Sequence, residues 1–168
     1  HALSRVQQPL LAVLTDHGMN GVALQLVNET PEDVHGTVQL KLYKHGQTRV
    51  SEQVQTVSVS ARDSGRWNLA QWLQGFVDVN WSHRFGPPTV DLVVATWMND
   101  QGQELSQALY FNPALMVAFN GEPGLTATAM QLNTTSITVQ LQTRGAAFAV
   151  HFDVQGWAPD DDHFHMAP

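Results

Sequence analysis

The sequence predicts an all-β protein: an immunoglobulin-like β-sandwich followed by a second, smaller and truncated β-sandwich unit. Short segments such as residues 38–43 alternate apolar and polar residues with a period of two, as half-buried strands do. Turn residues separate these segments about every ten residues, a spacing typical of β-sandwiches. The longest strand signal, residues 90–97, is apolar on both faces, which indicates a central strand.

Composition limits the classes of function. The 168 residues are 43% hydrophobic and 14% charged, which favours a packed core over disorder. With 8 Lys and Arg against 15 Asp and Glu, the formal net charge is −7. An acidic surface disfavours nucleic acid and anionic membranes as partners. The absence of Cys excludes disulfides and thiolate nucleophiles.

The sequence leaves the compartment undetermined. No apolar run approaches the roughly 20 residues of a membrane helix, and no secretory signal is visible at residues 1–5. We therefore expect no membrane segment, and a cytoplasmic or periplasmic location if the source is bacterial.

The first third of the chain predicts four strands. Residues 8–16 and 22–28 are joined by a turn whose two glycines and Asn20 tolerate positive φ. A polar loop then leads to the alternating strand at residues 38–43, which has one solvent-exposed face. After another turn, residues 54–61 predict a further strand with apolar residues on one face.

The pattern changes to a helical period over residues 64–76. Four apolar residues recur there at helical intervals: Leu69, Trp72, Leu73 and Phe76. Asn68 can cap such a helix, and Gly75 would end it. Because so short a helix needs tertiary packing, we expect it to lie across one end of the sandwich. Residues 77–81 predict a weak strand.

The central hairpin follows a glycine–proline breaker. Gly86-Pro87-Pro88 sets the start of the strand at residues 90–97, and we do not expect it to form a site. A turn at residues 99–102 leads to an antiparallel return strand at residues 105–111. We expect the remaining strands to pack around this hairpin.

A domain boundary is predicted near Pro113, so that residues 1–112 form the immunoglobulin-like domain and residues 113–168 a partial C-terminal one. The second part contains three strand signals and an irregular tail: residues 125–130, 137–141, 148–154 and 156–168. Three or four strands are fewer than the roughly seven of an immunoglobulin-type sandwich. We therefore expect the second unit to be truncated or to depend on packing against the first unit.

The tail contains the best local pattern for a metal, because carboxylates and imidazoles ligate divalent cations. The candidate ligands are Asp160, Asp162, His163 and His165. In a strand, His163 and His165 would point to one side, with Phe164 on the other. The spacing of the four residues does not match a specific ligand set. We expect a solvated loop that leads to a strand, with no metal and no other cofactor.

Trp67, Trp72 and Trp81 are candidate carbohydrate contacts, because aromatic faces pack on sugar C–H groups and these three could cluster near one end of the sandwich. The alternative for each is packing in the core, which we expect for Trp97 in the central strand.

Several motifs together resemble the accessory β-domains of β-mannosidases in glycoside hydrolase family 2. The most specific is Arg84-Phe85-Gly86-Pro87-Pro88 followed by Asp91-Leu92-Val93-Val94-Ala95. Further matches lie at residues 16–21, 27–32, 40–46, 108–111 and 159–164. The resemblance covers nearly the whole chain, and each of its motifs is structural.

The resemblance implies a function for the parent protein. Members of the family hydrolyse terminal β-D-mannose residues with retention, and their two catalytic glutamates lie in a (β/α)₈ barrel that is absent here. The chain would then be a C-terminal part, inactive alone, that supports the barrel. Its expected partners are that barrel and β-mannoside oligosaccharides. The alternative is a free-standing carbohydrate-binding or adhesion module, which an exposed Trp67/Trp72/Trp81 cluster would favour.

Local motifs predict no catalytic residue. An Asn-Glu pair marks the acid/base in one large clan of retaining glycosidases, and Asn28-Glu29 has this form. Such a Glu needs a second carboxylate about 5 Å away in a pocket, whereas Glu29 lies in a loop-like stretch. The sequence has no Gly-x-Ser-x-Gly element and no phosphate-binding glycine loop.

Overall fold

The computed structural model describes residues 7–113, 122–131, 133 and 135–168. Within them the chain is all-β, with eleven strands, two short 3₁₀ helices (Gly18–Asn20 and Leu69–Gln71) and no α-helix. The strands are β1 (Leu10–Asp16), β2 (Val22–Asn28), β3 (Val34–Lys44), β4 (Thr48–Val59), β5 (Asp63–Asn68), β6 (Leu92–Asn99), β7 (Glu104–Phe111), β8 (Thr126–Gln131), β9 (Ile137–Gln142), β10 (Ala147–Val150) and β11 (Phe164–Met166). No helix of this described part has the length and hydropathy needed to cross a membrane.

The chain divides into two compact units, one containing β1 to β7 and one containing β8 to β11. In the first unit, antiparallel sheets with strand orders β1-β2-β5 and β4-β3-β6-β7 pack face to face. Their shared core contains buried residues from both sheets, among them Ala12, Leu24, Leu26, Leu40, Leu42 and Trp97. This arrangement confirms the predicted all-β sandwich.

Strand β6 is the central strand that the sequence predicts. It lies between β3 and β7, and its first six residues are buried on both faces. The Trp97 side chain is fully buried in the core. On β3, Gly36 lies opposite Asn99, and a Cβ at Gly36 would collide with the Met98 carbonyl. The close approach of these two strands therefore requires glycine at position 36.

Asp91 fixes the turn between β3 and β4 beside the start of β6. Its carboxylate accepts hydrogen bonds from the backbone N–H groups of His45 and of Gly46, the latter at 3.0 Å. Both residues have positive φ, 56° and 62°. A buried carboxylate is well suited to this tight turn, because two neighbouring N–H groups converge on it.

The prediction of a helix within residues 64–76 is wrong. β5 occupies the first part of this range and pairs with β2, which places Trp67 opposite Leu24. Only Leu69–Gln71 is helical, and the Asn68 side chain caps it by accepting a 2.9 Å bond from the Ala70 N–H. Sheet pairing satisfies the backbone of this segment and outweighs a helical spacing of four apolar residues.

The weak strand predicted at residues 77–81 is also absent from the structure. Trp81 has a φ of 54°, which interrupts an extended chain. This segment belongs instead to a long connection between the Leu69–Gln71 helix and β6.

The described residues of the second unit form two strand pairs, β8 with β9 and β10 with β11. Strand β10 ends at Val150, earlier than predicted, and β11 is a short strand within the otherwise irregular tail, where a loop leading to a strand was expected. All six residues of β8 are exposed, and the buried hydrophobic side chains described in this unit are Ala147 and Val150. Large apolar side chains such as Phe148, which is 51% exposed, remain open to solvent.

Candidate functional site

One carboxylate organises the connection that leads into β6. Asp78 accepts backbone hydrogen bonds from Ser82 (3.0 Å), His83 (3.0 Å) and Arg84 (2.9 Å). Trp81 and Arg84 both have left-handed backbone conformations, with φ of 54° and 56°. These three bonds give the loop a defined path without regular secondary structure.

The loop carries three aromatic rings that contact one another, and two of them are exposed to solvent. Phe76, His83 and Phe85, here called the aromatic patch, have ring centroids 5.4 to 5.9 Å apart, and the His83 and Phe85 rings stack. Phe76 is 67% exposed and Phe85 is 80% exposed. Contiguous exposed apolar side chains of this kind mark interaction surfaces more often than single exposed residues do.

A cleft of about 360 Å³ lies beside the aromatic patch. Phe76 and His83 line one part of it, and Met19, Asn20 and Asn68 line another. The Asn68 side chain donates a 2.7 Å bond to the carbonyl of Asn20, which holds the two sequence segments together.

Asp16 anchors the same loop to the sandwich. Asn80 donates to Asp16 Oδ1 at 2.6 Å and to the Gly18 carbonyl at 2.8 Å, and the Tyr110 hydroxyl donates to Asp16 Oδ2 at 2.7 Å. Burial by itself would raise the pKa of Asp16, but the bonds from Tyr110, Asn80 and the Gly18 N–H lower it overall. The pKa of Tyr110 is raised, first by burial and then by its bond to Asp16.

The three candidate tryptophans fall into two places. Trp67 and Trp72 have ring centroids 5.8 Å apart, and both are half-buried against the core. Trp81 donates its indole N–H to the Gly86 carbonyl at 3.0 Å and lies 5.5 Å from the Arg84 guanidinium. Among the described residues, no ring contact joins Trp81 to the other two. Carbohydrate contact by any of them stays a prediction.

Asn28 has a structural role. It is fully buried, and its side-chain nitrogen faces the carbonyls of Glu32, Val59 and Ser60 at 2.8 to 3.2 Å. Its oxygen accepts two bonds from Thr30. The neighbouring Glu29 is exposed. Asn28 therefore holds the loop that follows β2 in place.

Two of the four candidate ligands of the tail, Asp162 and His163, lie together, and His151 joins them. Asp162 Oδ2 lies 2.8 Å from His151 Nδ1 and 3.2 Å from His163 Nδ1. This group, which includes neither Asp160 nor His165, is a cluster of metal-ligating side chains. His165 instead stacks on Phe148 and accepts a bond from the Ala149 N–H. Sequence reasoning missed His151 because it lies eleven residues before Asp162.

Hydrogen bonds hold Asp162 in its ionised form. Burial would raise the pKa of Asp162, but the backbone N–H of Phe152, the His151 ring and the backbone N–H of His163 lower it to about 2. The carboxylate is thus negatively charged at neutral pH, beside two imidazoles.

Comparison with known proteins identifies a class of proteins that share this fold. No protein-family model matches the sequence, and no curated protein matches it significantly. Solved structures do match, and they are enzymes that act on carbohydrates. The chain spans only about a fifth of the length of each, so it corresponds in fold to a part of such enzymes.

Two solved structures illustrate the match. The exo-chitosanase CsxA from Amycolatopsis orientalis aligns with 98% of this chain and 23% of its own, at 19% identity and a TM-score of 0.59. The β-D-mannosidase from Dictyoglomus thermophilum aligns with 99% of this chain and 19% of its own, at 14% identity and a TM-score of 0.69. Identities this low establish the shared fold.

Proposed function

We propose that this chain is the non-catalytic C-terminal part of a family 2 β-mannosidase, an enzyme that hydrolyses terminal β-D-mannose residues with retention. The observation that carries the proposal is the fold match of nearly the whole chain to about a fifth of a β-D-mannosidase. The Arg84-Phe85-Gly86-Pro87-Pro88 motif supports the same assignment independently of the fold.

The domain assignment is part of the proposal. Residues 1–112 form an immunoglobulin-like domain, which is supported by seven strands in sheets of three and four. Residues 113–168 form a partial second domain. The exposed β8 and the small described core of this unit support that assignment, because an isolated domain needs more burial than this.

The proposed role is to support the catalytic barrel and to shape the aglycone side of a β-mannoside site. The aromatic patch is the surface proposed to contact the barrel. Phe76 and Phe85 are the two most exposed large apolar side chains of the described residues, and Asp78 holds their loop in place. Covering two exposed phenylalanines contributes roughly 1.5–3 kcal/mol each when burial is complete.

Enzyme assays test this role. The 168-residue chain alone should not hydrolyse an aryl β-mannoside, and turnover comparable to that of a complete family enzyme would contradict the proposal. In the complete enzyme, Phe76→Ala and Phe85→Ala should lower thermal stability or activity. The matched control is Val54→Ala on β4, because Val54 is a 55% exposed apolar residue outside the aromatic patch.

The second candidate is a free-standing carbohydrate-binding or adhesion module, which would use the partly exposed Trp67–Trp72 pair. The exposed cluster of three tryptophans that would favour this candidate does not form among the described residues. Titration of manno-oligosaccharides with tryptophan fluorescence separates the two candidates. A supporting domain should show no saturable change. A saturable change that Trp72→Ala removes, in a variant that remains folded, would establish the binding module instead.

A further inference from the structure

We propose that His151, Asp162 and His163 form a binding site for one divalent transition-metal ion of the zinc class, which clips together the two ends of the connection between β10 and β11. This differs from the sequence-based expectation of no metal. It also goes beyond the proposed accessory role, because it concerns the folding of the second unit itself.

The spacing of the three ligand atoms supports a common ion. In a tetrahedral site with bonds of about 2.0–2.1 Å, ligand atoms lie roughly 3.3 Å apart. The observed separations from Asp162 Oδ2 to the two histidine Nδ1 atoms are 2.8 and 3.2 Å, and each of the three residues offers one ligand atom within 4.8 Å of the other two. Small side-chain rotations would therefore place one ion within bonding distance of all three.

The backbone around Asp162 prearranges the site. Asp162 Oδ1 accepts a 2.9 Å bond from the Phe152 N–H, which leaves Oδ2 directed at the two imidazoles. Asp161 Oδ1 in turn accepts a 2.9 Å bond from the Asp162 N–H. His163 has a φ of 54°, so its ring turns back towards Asp162 instead of following β11. Support of this kind orients metal-ligating side chains.

The local charge favours a cation. Residues 145–168 contain four Asp and no Lys or Arg. Asp162 is almost fully buried, with 8% of its surface exposed, whereas the side chains of His151 and His163 are 52% and 67% exposed. A bound ion would compensate the buried carboxylate, and water could complete its coordination from the exposed side.

The ligand types indicate the class of metal. Two imidazole nitrogens and one carboxylate oxygen suit Zn²⁺, Co²⁺, Ni²⁺ or Cu²⁺, whereas Ca²⁺ and Mg²⁺ prefer sets of oxygen ligands. A clip between His151 and Asp162 would close the connection between two short strands. Such a clip would stabilise a unit whose described core is small, because ion binding to the folded state alone raises stability by mass action.

Zinc titration of the 168-residue chain by calorimetry tests the site. We expect one Zn²⁺ per chain, a rise in melting temperature with Zn²⁺ and none with Mg²⁺, and visible absorption of a Co²⁺ complex. Asp162→Asn, His151→Gln and His163→Gln should each weaken Zn²⁺ binding about tenfold or more. The matched control is His35→Gln, an exposed histidine of β3, which should bind Zn²⁺ as the unmodified chain does.

The His163→Gln variant should remain folded, because His163 is exposed and the substitution removes a ligand while the buried Asp162 is kept. Amide NMR spectra of each variant without metal show whether the fold is retained. Absence of stoichiometric binding at millimolar Zn²⁺ would overturn the proposal. Equal binding by the unmodified chain and a folded His163→Gln variant would overturn it too, and would leave the three residues as a hydrogen-bonded group only.

Discussion

The Tyr110 hydroxyl donates a 2.7 Å hydrogen bond to Asp16 Oδ2 and so connects β7 to the end of β1. Through its other oxygen, Asp16 also holds Asn80 and thereby the loop that presents the aromatic patch. The packing of the sandwich and the position of its exposed aromatic loop are therefore linked at one carboxylate.

Tyr110→Phe should lower the free energy of unfolding by about 1 kcal/mol, because it removes one bond to a charged but solvent-accessible acceptor. Urea denaturation at neutral pH measures this change. Tyr43→Phe is the control, since the Tyr43 hydroxyl has no side-chain or backbone hydrogen bond within the described ranges. Equal losses in the two variants would show that the Asp16 bond contributes nothing specific.

Asn28→Asp should destabilise the fold by about 2–3 kcal/mol, because it directs a carboxylate oxygen at three backbone carbonyls in a buried site. Glu29→Gln, at the adjacent exposed position, should change stability by less than about 0.5 kcal/mol. Chemical denaturation of both variants tests the structural role of the pair. A stable Asn28→Asp variant would refute it.

Asp78→Ala should loosen the loop that carries the aromatic patch, because three backbone N–H groups lose their acceptor. We expect faster hydrogen exchange at Ser82, His83 and Arg84, and a stability loss of about 1–2 kcal/mol. Asp100→Ala in the β6–β7 turn is the exposed control and should leave exchange in this loop unchanged. Unaltered protection at residues 82–84 would contradict this account of the loop.

Acidification should destabilise the second unit through Asp162. The pKa of Asp162 is about 2 in the folded chain against an ordinary value of 3.8. A lowered pKa contributes stability that is complete above the unfolded-state value and is lost as pH falls towards the folded one. With a chelator present, NMR signals of β10 and β11 should therefore report a loss of structure between about pH 4 and pH 2 that is smaller in Asp162→Asn.

The strands were predictable because their chemistry is local. Alternation identified β3, and an apolar run on both faces identified β6 as the central strand. The helix prediction for residues 64–76 was wrong. Leu69, Trp72, Leu73 and Phe76 have helical spacing, but β5 pairs with β2, whose residues lie 35 to 45 positions earlier. A period in one segment does not reveal its partner strand.

The candidate sites depended on contacts that the sequence does not contain. The resemblance motif included Phe85, but its contact with Phe76 follows from the turn that Asp78 imposes. The tail suggested Asp162 and His163, but His151 joins them only because β10 and β11 pair. Sequence reasoning found the residue types, and the tertiary fold selected which of them meet.

The most direct test of the central claim compares hydrolysis of an aryl β-mannoside by this chain alone and by the polypeptide encoded by the whole open reading frame. A non-catalytic part of a β-mannosidase predicts turnover by the whole polypeptide and none by the 168 residues. Comparable turnover by this chain alone, or no β-mannoside hydrolysis by the whole polypeptide, would contradict the account.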